Sequence, residues 1–537
     1  MKVGIRSGDG TKDIVCRAQE SILAAYQRQI GGASAVCGGR GTCGKCKIRV
    51  LEGELPVTDS DKNCFREREL EEGYRLSCRA FPKTDCMIEV CFADETEFEA
   101  LNTFAEMTGS ETAVIASGGS AAAEAAQNIR RAGIAIDIGT TTLAAQMIDL
   151  SDGSTLASAS CMNHQRAFGA DVISRIEASA AGKGQKLQKL IRKDLQKLIL
   201  LLLKQARFPA AQVEKIIISG NTTMGHLLMG YSCETLGVYP FTPVNIGTIQ
   251  GSFAELIGKE HMGMEAPDCM VWLLPGISAY VGGDIVSGLY AQRFEQQEKI
   301  CLLVDLGTNG EMAIGNKDRI MVTSAAAGPA FEGGSISCGT GSIPGAITHV
   351  KIGEDKRAHV ETIQGKMPVG ICGTGVIEIA AELLKAGLME ASGLLHEDYF
   401  EEGYPVVITP EGEEIWFTQK DVREVQLAKS AVRAGVETLI RRYGVSCDEI
   451  NYVYLAGGMG FSLDREAAVT IGLLPESLKE KIAAAGNSSL AGAVRALRDP
   501  FWMRTLEKLT TVSKETHLAN DPDFHEFYLT HMMFGEE

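Results

Sequence analysis

Cysteine spacing near the start of the chain indicates a metal centre. Cys37, Cys43 and Cys46 form a C-x5-C-x2-C run, and Cys78 follows after 31 intervening residues. Four thiolates at this spacing suit a [2Fe–2S] cluster, whose plant-type run, C-x4-C-x2-C…C, differs by one residue in the first gap. Glycines between the first three cysteines allow a loop to wrap closely around two irons. The run therefore predicts an electron-carrying [2Fe–2S] cluster bound by these four cysteines.

Two other uses of these cysteines are open. Zinc sites also use paired cysteines, but they usually have two short C-x2-C knuckles, and Cys78 is not part of a second such pair. Buried thiols are the other alternative, because the chain contains 15 cysteines. We interpret Cys64, Cys86 and Cys91 as packed or spare thiols, since Cys78 has the better spacing.

The composition is that of a soluble globular protein with several domains. The chain has 537 residues, of which 45% are hydrophobic and 23% charged. No signal peptide is recognised, and the most apolar run, 198–203, is far shorter than the roughly 20 residues of a membrane helix. Cysteines without an export signal indicate a reducing cytosol, so a cytoplasmic protein is expected. The net charge of −17 argues against a nucleic-acid partner.

Residues 1–95 are predicted to form a small mixed domain around the cysteines. Its expected strands lie at 2–6, 13–17, 47–51, 75–79 and 87–92, and its expected helices at 20–30 and 61–72. Residues 96–131 are rich in Ala, Gly and Ser and are predicted to be a linker. Such a linker would let the cluster move between an electron donor and an acceptor, or it would serve as a plain spacer.

A repeated turn forms the second constellation. The segment I-A-I-D-I-G-T-T-T around Asp137 recurs about 168 residues later as L-L-V-D-L-G-T-N-G-E around Asp305, which predicts two similar lobes. Gly139 and Gly307 would let the turn backbone approach phosphate oxygens. The phosphate donors would be the hydroxyl and backbone N–H groups of Thr140, Thr141 and Thr308. Asp137 and Asp305 would lie at strand ends, suited to holding Mg²⁺ directly or through water.

A third turn, L-A-G-G-M-G at 455–460, follows a buried-type strand. A glycine turn lets a base and ribose lie against the backbone, but it is equally typical of a plain strand–helix connection. Two helices rich in small residues, 278–292 and 486–497, are predicted to connect the lobes, where small residues allow close packing and hinge motion. The other expected elements are three strands from 133 to about 161, strands at 213–219 and 269–274, and helices at 168–180, 185–206, from 221, and 422–439.

Together the three turns resemble the nucleotide motifs of the actin, Hsp70 and sugar-kinase superfamily. The resemblance places phosphate 1 at 137–142, phosphate 2 at 305–311 and adenosine at 455–460. The nucleotide-binding residues that it implies are Gly139, Thr140, Thr141, Thr142, Gly307, Thr308, Asn309, Gly310, Gly457, Gly458 and Met459.

The cysteine domain resembles the β-grasp [2Fe–2S] ferredoxins, and its wider first gap looks like the adrenodoxin type. The expected fold is therefore a multidomain α/β and α+β protein. A β-grasp ferredoxin domain at 1–95 and the linker at 96–131 precede a two-lobed, ribonuclease-H-like ATPase with lobe I at 132–299 and lobe II at 300–537.

The whole chain resembles the reductive activators of corrinoid proteins. The segments that carry this resemblance are S-G-N-T-T-M at 219–224, I-S-A-Y-V-G-G-D at 277–284, A-A-G-P-A-F-E-G-G at 326–334, G-I-C-G-T-G at 370–375 and T-Q-K-D-V-R-E-V-Q-L-A-K at 418–429. The resemblance implies ATP-dependent transfer of one electron through the cluster to inactive Co(II), which restores Co(I). It implies that Glu311 orients the attacking water and that Asp284 assists through the water shell of the metal; a structural role is the open alternative for both. It also implies that Lys429 contacts the ribose.

The cofactors implied are a [2Fe–2S] cluster, ATP and Mg²⁺. The partners implied are a corrinoid methyl-carrier protein, a low-potential donor such as ferredoxin or flavodoxin, and a second copy in a homodimer; no nucleic acid or membrane is expected. Three alternatives stay open. Activators of radical acyl-CoA dehydratases share the ATPase fold but hold a [4Fe–4S] cluster between subunits and lack a ferredoxin domain. A sugar or small-molecule kinase would leave the cluster without a role, and a redox-regulated chaperone or binding module would need no electron transfer to a cofactor.

Overall fold

The computed structural model describes residues 1–7, 10–30, 39–91, 130–169, 171–260, 262, 266–408, 414–457 and 463–535. Cys37, Gly458 and Met459 lie outside the described residues, as does the predicted linker apart from its last two residues.

The first domain is a mixed sheet with the strand order β2-β1-β5-β3-β4, covered by a helix. Its elements are β1 (Lys2–Ser7), β2 (Gly10–Val15), α1 (Ile22–Gln29), β3 (Lys47–Glu52), α2 (Asp59–Cys64), α3 (Glu67–Glu71), β4 (Tyr74–Leu76) and β5 (Cys86–Val90). Helix α1 begins at Ser21, whose hydroxyl accepts the Ala24 N–H over 3.3 Å. Leu23 and Tyr26 are buried in the core that the helix forms with the sheet.

The prediction of one helix over 61–72 is wrong. The structure has two short helices, α2 and α3, with Phe65 between them in an extended conformation at φ −123° and ψ 148°. Phe65 is buried in the core of this domain, and Arg66 begins the second helix as its N-cap. Turning the aromatic ring into the core therefore interrupts a segment whose polar residues favour a continuous helix.

Lobe I contains a sheet with the order β10-β11-β9-β6-β7-β8. Its strands are β6 (Ala132–Ile138), β7 (Thr142–Asp149), β8 (Thr155–Met162), β9 (Val213–Gly220), β10 (Ile249–Ser252) and β11 (Met270–Leu273). Its helices are α4 (Val172–Ala178), α5 (Gly184–Ala206), α6 (Thr222–Met229), α7 (Phe253–Leu256) and α8 (Gly283–Ala291). The buried face of α5 closes this core, because Leu187, Ile191 and Leu195 are all fully buried.

Lobe II contains a sheet with the order β21-β20-β12-β13-β14-β22, a smaller sheet with the order β16-β15-β17, and a hairpin of β18 and β19. Its strands are β12 (Ile300–Leu306), β13 (Gly310–Gly315), β14 (Ile320–Ala325), β15 (Ala346–Ile352), β16 (Ala358–Thr362), β17 (Gly370–Ile371), β18 (Tyr404–Ile408), β19 (Glu414–Phe417), β20 (Ile450–Ala456), β21 (Ile482–Gly486) and β22 (Ser513–Glu515). Its helices are α9 (Gly373–Lys385), α10 (Glu397–Phe400), α11 (Gln419–Tyr443), α12 (Arg465–Thr470), α13 (Ser488–Arg498), α14 (Trp502–Val512) and α15 (Pro522–Thr530).

The two large sheets share one arrangement, as the repeated turns predicted. In lobe I, β6 pairs antiparallel with β7 and parallel with β9, and in lobe II β12 pairs antiparallel with β13 and parallel with β20. The two turns with the pattern Asp-aliphatic-Gly-Thr, at 137–140 and 305–308 and called here the Asp-Gly-Thr turns, therefore occupy equivalent positions in the two lobes. No helix in the described part of the chain is long and apolar enough to cross a membrane.

Helices α8 and α13 pack directly against each other between the lobes. A β-carbon on Gly288 would lie 2.7 Å from the Ser488 hydroxyl, and one on Gly492 would lie 2.0 Å from the Ser287 carbonyl oxygen. The predicted close packing through small residues is thus present. Helix α8 begins later than the predicted 278, because the Ser278 hydroxyl accepts backbone N–H groups of the following turn and holds it out of the helix.

Candidate functional site

The two Asp-Gly-Thr turns face one cleft between the lobes. In the first turn the Gly139 N–H donates to the Thr142 carbonyl over 3.0 Å, and a β-carbon on Gly139 would lie 2.6 Å from that oxygen. In the second turn the Gly307 N–H donates to the Asn309 carbonyl over 3.1 Å. Of the predicted nucleotide-binding residues, those that line the cleft are Gly139, Thr140, Thr141, Thr142, Gly307, Thr308, Asn309 and Gly457.

Four carboxylates converge on this cleft. Asp137 and Asp305 are each the last residue but one of their strands, β6 and β12. Glu311 lies on β13 directly opposite Asp305, and Asp284 lies in the first turn of α8. Burial raises the pKa of all four carboxyl groups. The pKa of Asp284 rises to about 7 and that of Asp305 to about 8. Neighbouring carboxylates raise the pKa values of Asp284, Asp305 and Glu311 further. For Asp137, two hydrogen bonds offset part of the rise in pKa. A cation in the cleft would relieve the repulsion.

The N-terminus of α13 supplies polar partners to these carboxylates. The Asn487 amide donates to Asp137 over 2.8 Å, and the Ser489 hydroxyl donates to the other oxygen of the same carboxylate over 2.7 Å. The Ser488 hydroxyl lies 3.5 Å from Asp305. The sequence predicted this segment as a connecting helix and did not predict its contacts with the aspartates, although its start at Asn-Ser-Ser is typical of a capped N-terminus.

A magnesium ion would fit this cleft only with water molecules among its ligands. The described residues contain no group of three or more His, Cys, Asp or Glu side chains that could hold a metal ion directly. Mg²⁺ usually keeps several waters and is bound through one or two carboxylates plus substrate phosphates. Buried carboxylates with raised pKa values, beside turns that are predicted to bind phosphate, fit that mode of binding.

Glu332 is a residue of the cleft that the sequence analysis did not single out. Its carboxylate accepts the Thr141 hydroxyl over 2.6 Å and the Thr308 backbone N–H over 2.9 Å. These two donors belong to opposite lobes, and both were predicted to bind phosphate. The motif A-A-G-P-A-F-E-G-G contains Glu332, but only the folded chain shows that it reaches both turns.

The adenosine motif is only partly described. Gly457 lies in the left-handed region at φ +100°, and a β-carbon there would lie 2.4 Å from the Leu306 carbonyl oxygen. Lys429, predicted near the ribose, is fully buried, and its ammonium donates to the Met533 carbonyl and lies 5.1 Å from the centre of the Phe534 ring. Burial lowers the pKa of Lys429 to about 7. The side chain does not line the cleft, so its contacts favour a packing role and give the ribose prediction no support.

Gly310, predicted to bind nucleotide, does not line the cleft either. It is the first residue of β13 and is buried, with Val432 3.1 Å from the place of a β-carbon. The residue therefore supports the packing of α11 behind the turn and does not line the cleft.

Two of the four predicted cluster cysteines lie side by side at the edge of the first sheet. Antiparallel pairing sets Lys47 opposite Leu76, and the Ser77 N–H donates to the Cys46 carbonyl over 2.9 Å. Cys46 and Cys78 therefore lie at adjacent ends of β3 and β4, and both are buried. Gly41 lies at φ +79°, and its β-carbon would lie 2.7 Å from the Arg79 side chain, so the loop closes onto the segment around Cys78. Paired buried cysteines beside a tight glycine turn are compatible with a [2Fe–2S] cluster, but the described cysteines do not form a group that could hold a metal ion by themselves. The ligand set stays a prediction, because Cys37 lies outside the described residues.

The cysteine loop lines the same cavity as the two turns predicted to bind phosphate, 137–142 and 305–311, which are called here the phosphate turns. This cavity has a volume of about 2140 Å³, and its wall includes Cys43, Gly44 and Lys45 as well as both Asp-Gly-Thr turns. Such a space is large enough for a nucleotide, since ordinary ligand pockets measure about 300–1,000 Å³. The fold and site thus define a two-lobed protein of the nucleotide-binding ATPase fold, with a ferredoxin-like domain that lines the same cavity.

Comparisons with known proteins agree with this class. Residues 7–83 match the 2Fe-2S iron-sulfur cluster binding domain, residues 132–297 the RACo middle region, and residues 299–537 the C-terminal domain of RACo, the ASKHA domain. The chain is 30% identical to the corrinoid activation enzyme RamQ of Eubacterium limosum over 97% of each chain. It is 28% identical to the [Co(II) methylated amine-specific corrinoid protein] reductase of Methanosarcina barkeri, over 75% of this chain and 77% of that protein.

A solved structure shows the same architecture. The reductive activator for a corrinoid, iron-sulfur protein superposes with a TM-score of 0.71 and 27% identity, covering 99% of this chain and 98% of that one. The chain belongs to the family of corrinoid reductive activators, with an N-terminal [2Fe–2S]-type domain and a C-terminal ASKHA domain. The predicted fold class and the predicted family are both confirmed.

Proposed function

We propose that this protein uses ATP to reduce the inactive Co(II) form of a corrinoid protein to Co(I). The observation that carries the proposal is the shared cavity, which places the cysteine loop and the phosphate turns around one space. The relatives named above act on corrinoid proteins, and this chain matches one of them over nearly its full length. An ATPase cleft and an electron-carrying domain that meet in one cavity are suited to coupling nucleotide binding to electron transfer.

At the nucleotide end, the two turns would hold the phosphates. The Thr141 hydroxyl and the Thr308 N–H, which lie within reach of a single carboxylate in the structure, would donate to phosphate oxygens from opposite lobes. Magnesium bound near Asp137 and Asp305 would neutralise charge on the phosphates and on the carboxylates. Asn487 and Ser489 keep the Asp137 carboxylate fixed for this task.

Glu311 is proposed to orient the water that attacks the terminal phosphoryl group. It is 7% exposed, it lines the cleft, and it lies directly opposite Asp305 across the β12–β13 hairpin. Asp284 is proposed to act through the water shell of the magnesium, because it lies at the start of α8 and its charge raises the pKa of both Asp305 and Glu311.

At the electron end, Cys37, Cys43, Cys46 and Cys78 would hold a [2Fe–2S] cluster, which supplies a one-electron carrier. One electron from a low-potential donor such as ferredoxin or flavodoxin is consumed for each Co(II) reduced to Co(I). A homodimer is a further part of the proposal that the chain's similarity to its family suggests.

ATP can drive this transfer only if it binds one conformation of the protein better than another. The two lobes each contribute phosphate donors, so a bound nucleotide favours the arrangement in which both turns reach it. The packing of α8 against α13 is the hinge about which the lobes would close.

The test is the reduction of a purified corrinoid protein followed by absorbance. Reduced protein is mixed with the Co(II) form, with Mg–ATP, with a non-hydrolysable ATP analogue, and without nucleotide, and the rise of Co(I) is recorded. We expect Co(I) in quantity only with ATP. Equal Co(I) in all three mixtures would contradict the coupling, and no Co(I) in any of them would contradict the proposed substrate.

A further inference from the structure

The segment from Glu332 to Gly339, called here the strap, connects the phosphate turns to the cysteine loop. At one end, the Glu332 carboxylate accepts hydrogen bonds from Thr141 and Thr308 at 2.6 and 2.9 Å. A carboxylate that bridges two donors from opposite lobes occupies the place that phosphate oxygens would take. A nucleotide phosphate cannot use these donors while Glu332 holds them, and its negative charge would be repelled by the same carboxylate.

At the other end, the strap surrounds the ammonium of Lys45. This side chain donates to the carbonyl oxygens of Ile336 at 2.7 Å, Ser337 at 3.2 Å and Gly339 at 2.6 Å. Lys45 lies between Cys43 and Cys46 in the cysteine loop. An ammonium withdrawn from water needs such partners, because a partly buried charge without them is costly. Movement of the strap would therefore change the fit of the cysteine loop on lobe II.

The strap is built as a compact unit that can transmit a displacement. Its two ends meet, since a β-carbon on Gly339 would lie 2.3 Å from the Gly333 carbonyl oxygen. Gly333 lies in the left-handed region at φ +72°, and its β-carbon would lie 2.5 Å from the Thr340 carbonyl oxygen. A side chain at Gly333 or Gly339 would meet backbone, so the backbone of the strap is folded closely on itself and is expected to shift as one piece.

The cysteine loop also contacts lobe I, so it lies against both lobes. Arg40 donates to the Ser174 hydroxyl and to the Glu177 carboxylate, each over 3.1 Å. The Arg40–Glu177 pair is exposed and weak by itself, with 58% and 65% of the side chains accessible. The Lys45 contact is therefore the stronger of these two links. Arg66 makes a separate contact with lobe II through Glu402 and Trp416, which the strap does not include.

We propose that Glu332 stands in for a nucleotide phosphate in the nucleotide-free protein, and that its displacement by nucleotide moves the strap and loosens Lys45. Nucleotide binding would then loosen the cysteine loop from the strap of lobe II. The inference rests on the proposed nucleotide site and adds to it the device by which that site would control the position of the cysteine domain. Because coupling is reciprocal, loosening Lys45 by mutation must also favour nucleotide binding.

The first experiment measures affinity for the magnesium complex of a non-hydrolysable ATP analogue by calorimetry. Glu332→Ala removes both acceptors, and Glu332→Gln keeps the shape while removing the charge. We expect both variants to bind the analogue on the order of tenfold or more tightly than the wild type, since charge-assisted hydrogen bonds no longer compete. Glu354→Gln, an exposed change of the same charge in lobe II, is the control and is expected to leave the affinity unchanged. Unchanged or weaker binding by both Glu332 variants, with melting temperatures near that of the wild type, would overturn the inference.

The second experiment tests the link to the cysteine loop by hydrogen exchange of peptides covering 333–341 and 39–47. In the wild type, nucleotide is expected to raise exchange in both peptides, and Lys45→Met is expected to raise it without nucleotide and to tighten nucleotide binding several-fold. Lys62→Met, an exposed lysine of the same domain, is the matched control. If Lys45→Met changes neither exchange in the strap nor nucleotide affinity, the strap does not couple the two sites.

The two proposals can fail separately. If the analogue binds and the Glu332 and Lys45 variants behave as expected, but no Co(I) forms, the corrinoid function is wrong and the strap inference stands. If Co(I) forms with ATP and the variants show no effect, the strap inference alone is wrong. If no variant and no wild-type protein binds nucleotide, both are overturned.

Discussion

Replacing Gly492 by alanine tests the packing that joins the two lobes. Gly492 lies inside the regular helix α13, so alanine can adopt its backbone, and helix propensity alone would stabilise the variant by about 1 kcal/mol. The contact with α8 has the opposite effect. The new β-carbon would lie 2.0 Å from the Ser287 carbonyl oxygen, whereas carbon and oxygen normally approach to about 3.3 Å.

The contact decides the sign of the change. The obstacle is backbone, which cannot rotate away, so α8 and α13 must separate by on the order of 1 Å. Overpacking of this kind costs about 1–3 kcal/mol, and the severity of the contact favours the upper end. After the gain in propensity, we expect a net loss of about 2 kcal/mol and a fall in melting temperature of about 4–8 °C for the lobes.

The same separation should weaken nucleotide binding. The N-terminus of α13 carries Asn487 and Ser489, which hold the Asp137 carboxylate at 2.8 and 2.7 Å. A shift of about 1 Å would lengthen these hydrogen bonds and misplace the carboxylate, so we expect the affinity for Mg–ATP to fall on the order of tenfold.

Scanning fluorimetry and calorimetry measure both effects. Ala491→Ser adds one atom at the exposed neighbouring position of the same helix and is expected to change stability by about 0.5 kcal/mol or less. A melting temperature for Gly492→Ala equal to or above that of the wild type would refute the reasoning, because propensity would then outweigh the interlobe contact.

Three further predictions concern the two sites. Asp305→Asn is expected to flatten the pH dependence of the melting temperature, measured in EDTA. Folding raises the pKa of the Asp305 carboxyl from 3.8 to about 8, so its contribution to stability is complete below pH 3.8 and is lost as pH rises through 8. The loss is about 1.4 kcal/mol for each pH unit between these two pKa values. Equal slopes for variant and wild type between pH 5 and 8 would contradict this. Cys78→Ser is expected to abolish the iron content and visible absorbance of the reconstituted protein, while Cys91→Ser at an exposed position retains both; retention by Cys78→Ser would exclude it as a ligand. Gly457→Ala is expected to lower both stability and Mg–ATP affinity in the assays above, because φ is +100° and the β-carbon would lie 2.4 Å from the Leu306 carbonyl oxygen; unchanged affinity would place this turn away from the nucleotide.

The sequence was informative where local chemistry repeats. Two copies of Asp-aliphatic-Gly-Thr between apolar runs predicted two equivalent hairpins, and the structure has them in β6–β7 and β12–β13. The predicted helix 185–206 matches α5 to within a residue, because its apolar stripe continues without a breaker. Where a tertiary contact overrides local preference, prediction failed, as at Phe65, which interrupts a helix to reach the core.

The missed parts of the site share one property: their partners lie far away in the sequence. Glu332 meets Thr141 across 191 residues, and Asn487 meets Asp137 across 350. Neither contact leaves a local pattern, since a glutamate after a turn and an asparagine before a helix are ordinary residues at such places. Lys429 differs, because a lysine near the adenosine motif in sequence is buried against the C-terminal segment, so its contacts give the ribose prediction no support.

The charges of the cleft explain why nucleotide binding and movement of the cysteine domain should go together. The cleft holds four carboxylates with raised pKa values and a fifth, Glu332, that already bridges the phosphate turns. ATP brings further negative charge, so it can enter favourably only with a cation that neutralises the aspartates and only if Glu332 leaves. In the proposal, the departure of Glu332 moves the strap that follows it, whose backbone is folded closely on itself and surrounds Lys45. On this proposal, a nucleotide that satisfies these electrostatic conditions is expected to disturb the contact of the cysteine loop as well.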